Sequence, residues 1–313
     1  MIVSDLAPAE IACTLRRGQL MIEIGPFVYR MRSSLPALAE RIGSQYADFP
    51  LRPAEEFADF HVRVDPPNLL RRWVHANVAF ELDGLVPFKP LPRAHAFALL
   101  ESGLNWCVAQ HAHTFLVIHA AVVEKNGCAM LMPAPPGSGK STLCAGLVNR
   151  GWRLLSDELA LIDPADGLLA PCPRPVSLKN ESIDVMRRFA TDATILHTAD
   201  DTIKGTVAHM KPPADSVQRA AQRVPPAWIM FPRYASGEPS TLRPFGKGRA
   251  LMSLATNSFN YNIAGAIGFH ALCAVVEHCA CLEFVYGDLE DAVRVFDRLA
   301  SGTLEPDDIL AAS

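Results

Sequence analysis

Long apolar runs, paired cysteines and an excess of positive charge are all missing from this 313-residue chain. The formal net charge is −4 and the pI is near 6.2. No broad basic surface is therefore available to a nucleic-acid backbone, and nucleic acid is not an expected partner. The stretch from Ala250 to Val276 carries no formal charge, but polar residues fill its first half and only Ile263 to Val276 is apolar. That is too short to span a bilayer and predicts a buried helix, with no membrane span. None of the eight cysteines forms a C-x-x-C pair, and several sit in apolar runs. Buried, reduced thiols are the expectation; Cys279-Ala-Cys281 has no third or fourth metal ligand nearby. The first residues lack a basic segment followed by an apolar core and a small-residue cleavage site. No secretory signal is expected, and the location expected is cytoplasmic.

Half of the residues are apolar and a fifth are charged, an ordinary globular balance. The length suits two domains or one elaborated domain. Residues 1–112 predict a smaller N-terminal α/β domain of unknown role. Leu20 to Val28 is strand-like, Leu35 to Tyr46 has helical spacing, Phe57 to Val64 alternates, and Ala94 to Gln110 predicts a helix. No catalytic constellation stands out there; Asp59, His61 and Arg71-Arg72-Trp73 are either partner contacts or, more simply, solvated or structural groups. Residues 113–313 predict the second domain.

That second domain is organised around Ala134-Pro135-Pro136-Gly137-Ser138-Gly139-Lys140-Ser141-Thr142. An apolar segment, Ala129 to Met132, precedes it, and Leu143, Cys144, Leu147 and Val148 follow at helical spacing, so it predicts strand, loop, helix. Polyphosphate needs several backbone N–H groups turned into one concavity, and Gly137 and Gly139 give the chain that freedom. Lys140 can reach the β and γ phosphates, and the Ser141 hydroxyl, at the positive end of a helix, can hold Mg²⁺. Alanine replaces the first glycine of the G-x-x-x-x-G-K-[ST] pattern, which is harmless unless residue 134 needs a positive φ. The two prolines donate no N–H, so the cradle must be built from Gly137 onward.

Ahead of the loop, Phe115 to Ile118 and Ala120 to Val123 are strand-like with His119 between them, and Lys125-Asn126-Gly127 signals a hairpin. Beyond the helix, Arg153 to Leu155 predicts a short strand ending in Ser156-Asp157-Glu158. A nucleotide-dependent enzyme needs a strand-end carboxylate for Mg²⁺, and often another to take a proton from the nucleophile. Adjacent residues of a strand face opposite ways, so a division of labour between Asp157 and Glu158 is expected. The alternative for His119 is a core histidine, and for Asp157 a turn cap.

These residues resemble the kinase domain of HPr kinase/phosphorylase, in the group whose core is similar to phosphoenolpyruvate carboxykinase. His-Ala-Ala-Val-Val, Pro-Gly-Ser-Gly-Lys-Ser-Thr, Gly-Trp-Arg-Leu-Leu-Ser-Asp-Glu and Pro-Arg-Pro-Val-Ser-Leu-Lys-Asn look more narrowly like the HPr-kinase-related kinase A subfamily. The resemblance implies an α/β fold with a P-loop kinase core, Mg-ATP as the nucleotide, Lys140 on phosphate and Ser141 on Mg²⁺. It further implies Asp157 as the base for a substrate serine hydroxyl, His119 tuning it and Glu158 assisting with metal. The HPr enzyme's Glu-x-Arg-Gly signature is missing, so the resemblance does not extend to HPr itself or to reverse phosphorolysis. Lys179, Lys204 and Arg233 are candidate phosphate or substrate contacts, each with a solvated charge as its alternative. A protein or peptide serine is the expected acceptor. A small-molecule hydroxyl and a nucleotide-binding regulator without turnover stay open. HPr enzymes assemble as hexamers, so a homo-oligomer is among the implied states.

Overall fold

The computed structural model describes residues 1–67, 76–135, 137–202 and 205–304. Arg71-Arg72-Trp73, Pro136 and Lys204 lie outside these residues. The fold is mixed α/β and divides into two compact units. One comprises Met1–Val108, Arg174–Asp184 and Ala193–Arg219; the other comprises Ala109–Pro173, Val185–Asp192 and Ala220–Ser313. Two segments late in the chain, Arg174–Asp184 and Ala193–Arg219, therefore belong with the N-terminal unit.

In the N-terminal unit a five-stranded sheet begins with a hairpin, Leu20–Ile24 against Phe27–Arg32. The single strand expected over Leu20 to Val28 breaks because Gly25 takes a left-handed φ of 59° and Pro26 follows it. Phe60–Asp65 adds in parallel to the hairpin, and the helix Pro36–Gln45 connects them. Asp59 and His61 have structural partners: the Asp59 carboxylate accepts from the Val28 N–H at 2.7 Å, and His61 faces Asp83 at 3.5 Å. A three-stranded antiparallel sheet is built from Val176–Lys179, Gly205–Met210 and Ile195–Thr202.

The second unit is an eight-stranded mixed sheet with helices on both faces. In chain order its elements are β1 (Leu116–Lys125), β2 (Cys128–Pro133), α1 (Lys140–Val148), β3 (Arg153–Ser156), β4 (Leu159–Ile162) and β5 (Leu169–Ala170). They continue with β6 (Pro226–Tyr234), β7 (Thr241–Pro244), α2 (Lys247–Thr256), α3 (Tyr261–His278), β8 (Ala280–Tyr286) and α4 (Leu289–Ala300). The order across the sheet is β5-β4-β1-β2-β6-β8-β7, with β3 also paired to β1. The two apolar runs around His119 form one strand, and the Asn126-Gly127 turn joins β1 to β2 with both residues at positive φ, 55° and 79°. That is the hairpin geometry an Asn-Gly pair favours.

Strands β2, β6 and β8 run parallel, so their C-terminal ends share one edge, where a ligand site forms in open α/β sheets. Leu116, Ile118, Ala120 and Val122 of β1 join Leu131, Ile229, Leu254, Leu272 and Val275 in a buried core under α2 and α3. Each of the leucine, isoleucine and valine side chains among them contributes roughly 1.5–3 kcal/mol through burial. On the other face α1 meets α4 closely: a Cβ on Gly146 would stand 2.7 Å from the Leu289 side chain. Helix α4 opens with the Asp288 carboxylate accepting from the Asp291 N–H at 2.8 Å.

Helix α3 departs from the expectation of a buried helix. Gly265 interrupts it (φ 53°, ψ −129°). Only a stripe of Gly268, Ala271, Leu272, Val275 and Val276 faces the core, while Ile263 and Ile267 are each 66% exposed. Lack of charge marked this segment as apolar, but one sheet covers only one side of a helix. No described helix is long and apolar enough to cross a membrane. Cys107, Cys144, Cys172, Cys279 and Cys281 are buried, whereas Cys13 is exposed.

Candidate functional site

Strand β2 delivers the chain at Pro133 into the loop that precedes α1. Left-handed backbone occurs at Gly137 (φ 86°) and Gly139 (φ 88°) and not at Ala134, so the alanine in place of the first glycine carries no conformational cost. A Cβ on Gly137 would meet nothing within 4 Å, which leaves open space over that part of the loop. At Gly139 the reverse holds: a Cβ would lie 2.4 Å from the Tyr286 hydroxyl and 2.9 Å from the Tyr234 Cβ. The loop is tied to the strand ends beside it. The Tyr234 N–H donates to the Ser138 carbonyl at 2.9 Å, and the Tyr286 hydroxyl donates to the Gly139 carbonyl at 3.0 Å. The Ser138 Oγ is buried with no hydrogen-bond partner among the described residues, a polar atom whose desolvation an incoming ligand would offset.

Lys140 opens α1 and is 7% exposed. Its ammonium Nζ lies 3.1 Å from His119 Nε2, across from the strand that the sequence placed one hairpin earlier. An ammonium can only donate, so Nε2 accepts and the ring proton sits on Nδ1. Nδ1 faces Glu158 Oε2 at 3.8 Å, and the ring of Phe259 stands edge-on to the imidazole at 6.0 Å between centroids. His119 is held in place by its own N–H, which donates to the Asn257 carbonyl at 2.8 Å.

Asp157 and Glu158 were expected on a strand; they lie on a bend between β3 and β4. The cause is Ser156, whose Oγ accepts the N–H groups of Glu158 (3.3 Å) and Leu159 (2.9 Å) and turns the chain locally. The two carboxylates still separate. Glu158 reaches toward His119, while Asp157, 4% exposed, sits within electrostatic reach of α1. The Cys144 thiol, one turn beyond Lys140, reports this. Burial holds it well above its usual value, the Asp157 carboxylate adds to the shift, and Lys140 opposes it. Lys140 and Asp157 are therefore both within electrostatic reach of the Cys144 thiol.

Ser141 and Thr142 complete the first turn, half-buried, where backbone N–H groups have no intrahelical acceptor. Among the described residues no group of three His, Cys, Asp or Glu side chains could hold a metal by itself. Arg233 is exposed, next to Tyr234 at the end of β6, and strand alternation puts it on the opposite sheet face from Tyr234. Lys179 ends a strand of the N-terminal unit, where its N–H donates to the Ser182 hydroxyl at 2.7 Å. In the same unit Arg174 is buried against Glu101 at 3.7 Å, a structural pairing. Burial raises the Glu101 carboxyl, and the Arg174 guanidinium offsets part of that rise.

Tyr234, Tyr286 and Phe259 are the participants that sequence reasoning did not supply. The two tyrosines end apolar strands, but no local spacing connects them with a loop about a hundred or more residues earlier. No family model matches the chain, and no curated protein matches it.

Proposed function

We propose that the second unit is a P-loop kinase core of the HPr kinase and phosphoenolpyruvate carboxykinase type, which moves the γ-phosphoryl of Mg-ATP to a serine hydroxyl of a protein or peptide. The carrying observation is the buried Lys140 ammonium at the first turn of α1, 3.1 Å from His119, with the buried Asp157 carboxylate within electrostatic reach of Cys144 on the same helix. The residues fit a polyphosphate. Two left-handed glycines shape the loop, Gly137 leaves space open, and the Ser138 hydroxyl is buried without a protein partner among the described residues.

In this reading the N–H groups from Gly137 to Thr142 bind the phosphates, and the Lys140 side chain turns from His119 to them. Ser141 would hold Mg²⁺, with Glu158 on the side of His119; the ion supplies charge neutralisation as the phosphoryl group leaves. Asp157 accepts the serine proton while the serine oxygen forms its bond to the γ phosphorus and the bond to the β-γ bridging oxygen breaks, leaving ADP. His119, no longer occupied by Lys140, can accept a hydrogen bond on the acceptor side. Exposed Phe259 beside His119 supports a large, partly apolar acceptor over an enclosed metabolite.

The test is Asp157→Asn, assayed with γ-labelled ATP and cell lysate as the source of acceptor. Transfer should fall by at least about 100-fold, the lower range for losing a general base, with the Kd for Mg-ATP within about twofold of the parent. Undiminished transfer in the variant, or no ATP binding by the parent, overturns the proposal.

A further inference from the structure

We propose that Tyr286 is a positioning residue of the phosphate loop: its hydroxyl, by holding the Gly139 carbonyl, aims the Lys140 backbone N–H into the concavity. The inference rests on the reading of residues 134–142 as an anion cradle and adds to it how the cradle is set.

In a trans peptide the carbonyl of one residue and the N–H of the next point in opposite directions. Fixing the first therefore fixes the second. The Gly139 carbonyl accepts the first helical bond of α1, from the Leu143 N–H at 2.9 Å, and the Tyr286 hydroxyl is a second donor to the same oxygen at 3.0 Å. Held from the helix side and from β8, that carbonyl leaves the Lys140 N–H pointing out of the helix start, where an anion would sit. One residue earlier, the Tyr234 N–H does the same to the Ser138 carbonyl and so orients the Gly139 N–H. Two successive donors are thus preset by the ends of β6 and β8 before any ligand arrives, which spares the ligand the cost of ordering them.

The phenol is itself well held. Its ring stacks on Phe284 with an interplanar angle of 8° and stands edge-on to Tyr234. Burial raises its ionisation above the usual value, so the hydroxyl stays protonated and able to donate. The hydroxyl also occupies the space a side chain at residue 139 would need, so the glycine and the tyrosine form a matched pair.

Tyr286→Phe removes one oxygen and keeps the ring contacts. In the full-length chain, titration calorimetry with Mg-ATP and separately with inorganic tripolyphosphate should show both Kd values raised about three- to tenfold, the net worth of one hydrogen bond. The melting temperature should move by no more than about 2 °C, and the affinity ratio between the two ligands should stay constant, because the loss lies in the phosphate cradle they share. Unchanged affinities overturn the inference, with or without a drop in melting temperature. A loss confined to ATP also overturns it, since that would place the hydroxyl at the nucleoside. If the parent protein binds neither ligand, the cradle reading itself falls, an outcome distinct from a parent that binds and a variant that binds equally well.

Discussion

Two turns in the second unit use the same backbone conformation for different ends. At Asn126-Gly127 positive φ angles of 55° and 79° reverse the chain between β1 and β2, and a Cβ on Gly127 would meet nothing within 4 Å. At Gly137 and Gly139 the angles are 86° and 88°, yet Gly139 is hemmed in by the Tyr286 hydroxyl and the Tyr234 Cβ. In the hairpin, glycine answers only to φ. In the loop it answers to φ and to space, because carbonyls must be pulled onto the neighbouring strands for the N–H groups to face the other way. A glycine's purpose is read from its surroundings, and the dihedral alone does not disclose it.

Breaking the tight glycine should do the most damage. Gly139→Ala combines about 1–2 kcal/mol of left-handed strain with a collision against the phenol, so Mg-ATP affinity should fall more than about 100-fold by calorimetry. Near-normal affinity would erase the distinction between the two turns. The paired variants Gly137→Ala and Gly127→Ala sharpen it, since each carries the strain alone, again about 1–2 kcal/mol. The first should appear as roughly tenfold weaker ATP binding, and the second as lower unfolding free energy in urea with ATP affinity unchanged. A binding defect in Gly127→Ala would mean that the hairpin sets the loop. Asp288→Ala, which removes the α4 cap two residues beyond Tyr286 without touching the tyrosine's hydrogen bond, should cost about 1 kcal/mol of stability and leave affinity alone, giving a baseline for structural loss.

What the sequence disclosed was local. The Asn126-Gly127 hairpin, the two loop glycines and the helical spacing from Leu143 to Val148 all follow from neighbours a few residues apart. The contact of His119 with Lys140 was half legible: spacing put His119 one hairpin ahead of the loop, but the 3.1 Å approach depends on how β1 and β2 pair. Asp157 and Glu158 were legible as a pair but not as a bend, since the Ser156 hydroxyl competes with the strand ladder for their N–H groups. Tyr286 was invisible because it meets Gly139 from 147 residues away. The exposed side of α3 was missed for a related reason: absence of charge signals apolarity and does not say how many neighbours will arrive to cover it.

The way the chain is shared out between its two units has a consequence for dissecting it. The backbone passes from one to the other five times, near residues 108, 173, 184, 192 and 219. No single scission separates them, and a fragment beginning at residue 113 would carry residues 174–184 and 193–219 away from the partners they fold with. Those orphaned pieces would expose their apolar side chains to solvent, so failure of such a fragment to stay in solution would say nothing about the loop at residues 134–142.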